Sequence, residues 1–383
     1  MEGCRYKPMP RLEHLTVRGF KSIRALENFE LRSLNVLIGP NGAGKSNLLS
    51  LFKMLSHLSQ KRLQLFIRNE GGPDALLFNG RRHTLKLETE LFFENGHYEY
   101  RFSLVPTTDT MVFGTEEILP GLAQQPDDVI RRGDRTLVGS TLWSSGHSES
   151  HMADIDHSEF ASYVLSDMER WRVFHFQDVS HTAQVRLLSE VRDNLRLKPD
   201  AGNLAPLLRR LREHHPDHYR RIVEAIRLAA PFFGDFAYRK NPGDQMDLEW
   251  FEAGGDPDKP FGPHQFSDGT LRFICLATLL HEPENLQPGP ILIDEPELGL
   301  HPYALTLLAE MLKQAVDSRQ IIISTQSADL VSQFEPEDVV VVNRRDGESV
   351  FERLDPERLS DWLEDYALGD LWRMNVLGGR PRP

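Results

Sequence analysis

The sequence predicts an α/β fold, a mixed sheet with an antiparallel β insertion and a helical middle segment. Three observations carry that expectation. A glycine-rich loop over residues 39–46 lies between the apolar run Leu34–Ile38 and a helical pattern that runs from Lys45 to about Leu58. A second apolar run, Ile291–Ile293, ends in two carboxylates, Asp294 and Glu295. Strands and helices then alternate from 267 to 334, as they do in parallel sheets.

Taken in order, Leu12–Val17 reads as the first strand. Leu34–Ile38 is short enough to be strand or helix, and the Gly39-Pro40-Asn41-Gly42 that follows favours strand. Leu48, Leu49, Phe52, Leu55 and Leu58 recur at helical spacing. His83–Phe93 and Tyr98–Val105 alternate as strands around Glu94-Asn95-Gly96, a hairpin signal. Residues 107–150 are turn-rich and define no clear element. Ser158–Trp171, Asn203–Arg212 and His218–Leu228 read as helices, with a short apolar strand over Trp171–Phe176. Strands return after Gly234, and a hairpin is expected around Arg345-Asp346-Gly347. The expected division is a loop-bearing lobe with the antiparallel sheet (1–118) and a mostly helical insertion (119–240). Residues 241–383, with the acidic strand, the C-terminal hairpin and helices, complete the first domain.

Composition narrows the class. Of 383 residues 40 % are apolar and 26 % charged, enough for a sizeable core. Lys plus Arg is 44 against 57 Asp plus Glu, a net −13, which argues against a chain basic all over but leaves room for local basic patches. Cys4 and Cys275 are the two cysteines, and they build neither a disulfide framework nor a zinc site. Cys275, inside an apolar run, reads as a small core residue. Apolar runs reach about eight residues where roughly 20 are needed to span a bilayer, and the amino terminus has no signal-like segment. The expectation is a cytoplasmic chain with no membrane partner. No heptad array, internal repeat or low-complexity tract is present.

The chemistry concentrates in short motifs. Gly39-Pro40-Asn41-Gly42-Ala43-Gly44-Lys45-Ser46 is a complete G-x-x-x-x-G-K-S in strand–loop–helix context. Its glycines let backbone N–H groups curl around a phosphate at a helix N-terminus. Lys45, expected to be exposed at the loop–helix junction, reaches the β- and γ-phosphates, and the Ser46 hydroxyl ligates Mg²⁺. Pro290–Pro296 reads as a buried strand delivering acids at its carboxyl end, where open α/β sheets bind ligands. Asp294 is placed to support Mg²⁺ and Glu295 to polarise a water against the γ-phosphate. Phe266-Ser267-Asp268-Gly269-Thr270 opens an apolar helix, and Ser267 read alone is an N-cap. Gln320–Ser327 is a further apolar strand with a polar end, and Gln326 is placed either to cap it or to watch the γ-phosphate.

Together these residues resemble the ABC-type P-loop ATPase superfamily in its RecF/SMC/OLD branch, close to stand-alone RecF-like predicted AAA-type ATPases. Leu15–Ile23 leading into Leu34–Leu49 is similar to that branch's opening. Phe266–Thr270 is similar to its signature motif, Ile293–Pro302 to Walker B and D-loop, and Ser324–Ser327 to its switch segment. Residues 361–381 are similar to the closing segment of the stand-alone members. The likeness spans the first ~55 residues and roughly 265–383 well, and the middle only loosely. It implies ATP hydrolysis with Mg²⁺ in a homodimer whose two chains share each site. Gly39 to Asn47 of one chain then hold the phosphates, and Ser267 and Gly269 of the other close over them. Glu295 is implied as general base and Gln177, in Phe176-Gln177-Asp178, as the glutamine-loop residue. Gln326 stands where the branch usually has His. An amide cannot become cationic, so slow hydrolysis is implied.

The branch also implies a role in DNA repair or genome defence. Residues 1–24 hold six Lys/Arg against two acids, and 186–221 hold nine against five. DNA contact and solvated helix faces are both compatible with that charge. An ATP-dependent subunit gating a partner nuclease or effector is the alternative. A transporter ATPase is disfavoured by the 222 residues separating Lys45 from Ser267, and a chromosome-organising ATPase by the missing heptad arms. His147, His151, Asp154, Asp156, His157 and Glu159 contain metal-ligand types but read as a solvated loop. His214, His215 and His218 read as capping and surface groups. No Asn-Lys-x-Asp segment for guanine occurs.

Overall fold

The computed structural model describes residues 11–93, 98–120, 129–132, 135–138, 141–154, 164–165, 168–239, 243–256, 258–286 and 289–379. A six-stranded sheet runs in the order Arg172–Phe174, Ile291–Asp294, Ile321–Thr325, Leu34–Ile38, Val339–Arg345, Glu348–Arg353. The first five strands are parallel and the last returns as an antiparallel hairpin. A second, antiparallel six-stranded sheet runs Ile23–Glu30, Leu12–Phe20, Leu87–Phe93, Tyr98–Pro106, Met111–Pro120, Thr141–Leu142. The alternation of side chains along a strand divides the parallel sheet between two cores. Val36, Ile38, Ile291, Ile293, Ile321 and Ile323 face the helices Asp268–His281 and Pro302–Ala315. Leu37, Leu292, Ile322, Val340 and Val342 face the helix Lys45–Ser59 and the antiparallel sheet.

Local sequence accounts for most of these elements. Helix Lys45–Ser59 buries Leu48, Leu49, Phe52, Leu55 and Leu58, as their spacing predicts. The strand expected from His83 begins at Leu87, after a turn, and pairs with Tyr98–Pro106. The Glu94-Asn95-Gly96 signal lies outside the described residues, as does most of the helix expected over Ser158–Trp171. The middle segment supplies helices Leu204–His214 and Pro216–Ala229, set among short strands and turns. Cys275 is buried in the helix core.

Two strands escape the period-2 rule. Ile23–Glu30 buries Ile23, Leu26 and Phe29; between Leu26 and Phe29 it carries one residue more than its neighbour, Glu27 and Asn28 standing opposite Thr16, and that bulge returns Phe29 to the buried face. Met111–Pro120, inside the turn-rich stretch, hides a carboxylate among its inward residues. Glu116 is fully buried and accepts from the Tyr100 hydroxyl at 2.9 Å, His147 Nε2 at 2.8 Å, the His151 amide at 3.1 Å and Ser150 Oγ. Those bonds make residues 147–151 structural. Among the described residues no cluster of three or more His, Cys, Asp or Glu forms a metal site. Among them, too, no helix is long and apolar enough to cross a membrane.

Candidate nucleotide site

The buried strand Leu34–Ile38 delivers Gly39 with φ 147°, against the next strand so closely that a Cβ would lie 2.1 Å from the Val342 carbonyl oxygen. Gly44 caps helix Lys45–Ser59 at φ 115°, with its missing Cβ replaced by the Ser349 hydroxyl. A loop of this shape is open only to glycine at both positions. Pro40, Asn41, Gly42 and Ala43 complete the turn, Asn41 and Ser46 are exposed, and Asn47 Nδ2 donates to Ser22 Oγ at 2.6 Å. Lys45 is not exposed as expected: it is 5 % accessible, and Nζ donates to the Gly39 carbonyl at 2.6 Å and the Pro40 carbonyl at 3.2 Å. The ammonium folds back over its own loop, whose carbonyls replace water. Burial holds its pKa below the ordinary lysine value, opposed by the charges of Glu295, Asp294 and Glu297.

Those acids arrive from two strands away. Asp294 pairs in register with Ser324, and the Ser324 strand pairs with the loop strand, so all three carboxyl ends open on one edge. Glu295 has a left-handed backbone, φ 48°, and its amide donates to the Ser324 carbonyl at 2.8 Å. Its carboxylate is bracketed by two amides: Gln177 Nε2 donates to Oε2 at 3.2 Å, and Gln326 Nε2 donates to Oε1. The Gln326 backbone N–H donates to Glu297 Oε1 at 2.7 Å. Glu297 is a carboxyl raised above its usual range by burial. Lys45, Asp294, Glu295, Gln177 and Gln326 therefore meet at one edge of the sheet.

Residues the sequence reading missed hold this edge. His175 Nδ1 lies 3.7 Å from Asp294 Oδ2. Arg272, on helix Asp268–His281, donates to the carbonyls of Phe176 at 2.7 Å, Gln177 at 2.8 Å and Leu298. Arg186 donates to the carbonyls of Val179 at 2.7 Å, Pro263 at 2.5 Å and Phe266 at 3.3 Å, and to Asp268 Oδ1 at 2.7 Å. A buried arginine before or inside a helix is the signal that was available, but nothing local names its partners.

The signature segment stands apart. Ser267 caps its helix by accepting from the Thr270 amide at 3.2 Å and is exposed. Gly269 packs so closely on the Glu297–Leu300 turn that a Cβ would lie 2.3 Å from the Gly299 carbonyl oxygen. Among the described residues no hydrogen bond joins Ser267 or Gly269 to the 39–46 loop. The groups present fit ATP·Mg²⁺: the glycine cradle opens at a helix N-terminus, and the Ser46 hydroxyl with the Asp294 carboxylate gives the oxygen donors Mg²⁺ prefers.

This fold defines the chain as a RecF/SMC-like P-loop ATPase of the ABC type. Residues 34–332 match the family described as "AAA domain, putative AbiEii toxin, Type IV TA system", and the chain belongs to that family. No curated protein matches the sequence. Among solved structures, an SMC head bound to the C-winged helix domain of ScpA is similar at TM-score 0.57 and 17 % identity, covering 91 % of this chain and 99 % of that one. The Pyrococcus furiosus SMC head with an extended coiled coil, bound to the C-terminal domain of ScpA, is similar at TM-score 0.54 and 16 % identity, over 93 % and 99 %. The Pyrococcus yayanosii SMC head with a coiled coil and joint reaches TM-score 0.51 at 12 % identity, over 93 % and 99 %.

Proposed function

We propose that the protein hydrolyses ATP in a homodimer closed by the nucleotide, with Ser267 and Gly269 of each chain completing the site of the other. One observation carries this reading: Glu295 is held at both oxygens by Gln177 and Gln326 beside Lys45, while the signature helix start makes no bond to the loop of its own chain. In this reading the Lys45 ammonium exchanges the Gly39 and Pro40 carbonyls for phosphate oxygens. Mg²⁺ held by Ser46 and Asp294 would offset the phosphate charge. Glu295, oriented by its two amides, takes the proton of the attacking water. Gln326 offers a neutral donor and no cation there, which makes for slow turnover.

The variant Glu295→Gln keeps size and hydrogen bonding but removes the base. With ATP·Mg²⁺ it should run at twice the monomer mass in light scattering and revert without nucleotide. For a protein dimeric through another surface the readout is nucleotide-dependent compaction. Adding Ser267→Arg should abolish closure at unchanged ATP affinity. If closure and ATPase rate survive Ser267→Arg, Ser267 is only a helix cap and the shared site is wrong.

The wider role we propose is in DNA repair or genome defence, and the family's description supports the defence side. On the basic helices Arg209 pairs with Glu213 at 2.9 Å, and Arg212 lies over the Tyr219 and Tyr238 rings. Arg221 is exposed, and Arg220 is paired at 3.2 Å with Asp217 where both side chains are largely exposed, so these are the positions to reverse. A salt-sensitive, ATP-dependent DNA complex weakened by Arg220→Glu and Arg221→Glu supports DNA contact. Its absence at low salt leaves the partner-gating reading, in keeping with the ScpA domains seen on similar heads.

A further inference from the structure

The hairpin Val339–Arg345 and Glu348–Arg353 lies beyond residues 34–332, the part matched by the family, yet it touches the phosphate loop at three points. The Val342 carbonyl closes on Gly39, Arg344 Nη1 donates to the Gly42 carbonyl at 3.2 Å, and the Ser349 hydroxyl donates to the Ala43 carbonyl. Ser349 is 3 % accessible and Ala43 1 %. Ser349 Oγ also lies 2.6 Å from Ser22 Oγ, and Asn47 Nδ2 donates to Ser22 Oγ at 2.6 Å. A hydroxyl carries one proton. With the Ser349 proton on Ala43, Ser22 must donate to Ser349, and the bonds run one way: Asn47 to Ser22 to Ser349 to Ala43. The Ser349 amide, bonded to the Ser22 carbonyl at 2.7 Å, fixes the two backbones together.

In a trans peptide the C=O and the following N–H point in opposite directions. Holding the Ala43 carbonyl toward Ser349 therefore turns the Gly44 N–H the other way. Among the described residues that N–H makes no hydrogen bond. We propose that Ser349 is a positioning residue of the phosphate cradle, fixing the Ala43–Gly44 peptide so that the Gly44 N–H faces bound phosphate, with Ser22 as its support. This rests on the nucleotide reading above. Because loop amides of this kind hold the inner phosphates, the effect falls on ADP and ATP alike.

The test is calorimetric affinity for ATP and for ADP on the full chain, beside melting curves without nucleotide, for Ser349→Ala, Ser22→Ala and the double variant. One hydrogen bond of ordinary net strength corresponds to about threefold to tenfold in affinity. Each single variant should lose that for both nucleotides. The double variant should lose no more than the worse single, because the two act in series. Should Ser349→Ala not fold, Ser22→Ala breaks the same chain one step earlier. Unchanged affinity in folded variants, with only the melting point lowered, makes the serines structural and overturns the inference. A loss confined to ATP overturns it too, since it places Ser349 at the γ-phosphate. A parent protein that binds neither nucleotide overturns the nucleotide reading itself.

Discussion

At the end of the signature helix, His281 and Glu282 titrate in opposite senses. Burial pushes the Glu282 carboxyl up to about 7, with Arg319 opposing, and pulls the His281 imidazole down to about 4, helped by Arg221 and Arg319. The folded chain keeps the Glu282 proton over a range where the unfolded chain, near 4.5, has lost it. Stability from Glu282 is therefore complete below that value and declines as pH rises toward 7. His281 works the other way: its contribution is complete above 6.5 and is lost as pH falls toward 4. Glu282→Gln should match the parent's melting point near pH 4 and exceed it by a few degrees above pH 7. A constant difference across that range would show that Glu282 does not titrate there. The same scale shows what sequence reading reaches. Residues 39–46 and 290–296 are legible because each motif's chemistry lies within one strand and the turn after it. Gln177 is legible only as a glutamine after a strand, and its contact with Glu295 joins residues 118 apart. Ser349 and Arg272 carry no local signal, because their partners lie 306 and about 95 residues away.

Among elements, helix Asp268–His281 does more than present Ser267. Through Arg272 it fixes the Gln177 segment and the Leu298 turn together, so the amide facing Glu295 and the turn beside Gly269 move as one body. Arg272→Ala leaves three carbonyls without their donor, at about 1–3 kcal/mol for each that stays buried. We expect a lower melting point and an ATPase rate that falls further than ATP affinity, since Gln177 is released while the phosphate loop is untouched. Arg272→Lys should rescue little, because one ammonium cannot replace a planar fork. Equal losses of rate and affinity would argue that the damage is general. The strands around this helix were legible from apolar runs bounded by turns. Ile23–Glu30 was not, because a bulge at Glu27–Asn28 breaks its alternation before Phe29, and Met111–Pro120 was not, because its buried Glu116 reads as a surface residue.

For the whole molecule, the parallel sheet belongs to two cores at once: Ile322 and Ile323 are neighbours in one strand, yet each packs in a different core. Neither core survives loss of that sheet. Trp171 reports one core and Trp250 the other. Variants retaining either tryptophan alone should give coincident denaturation midpoints by fluorescence, and separated midpoints would mean that the cores melt independently. The α/β class was legible because strand–helix alternation is written along the chain, whereas the sharing of one sheet by two cores follows from pairings between distant segments. The contact of Ser349 with Ala43 also sets an order in time. A ribosome adding about 5–20 residues per second needs on the order of 15–60 s to travel from one to the other. Throughout that interval the nascent chain carries a complete glycine-rich motif without the hairpin that packs against it, so on our proposal the growing polypeptide cannot set the Ala43–Gly44 peptide until Ser349 has been added.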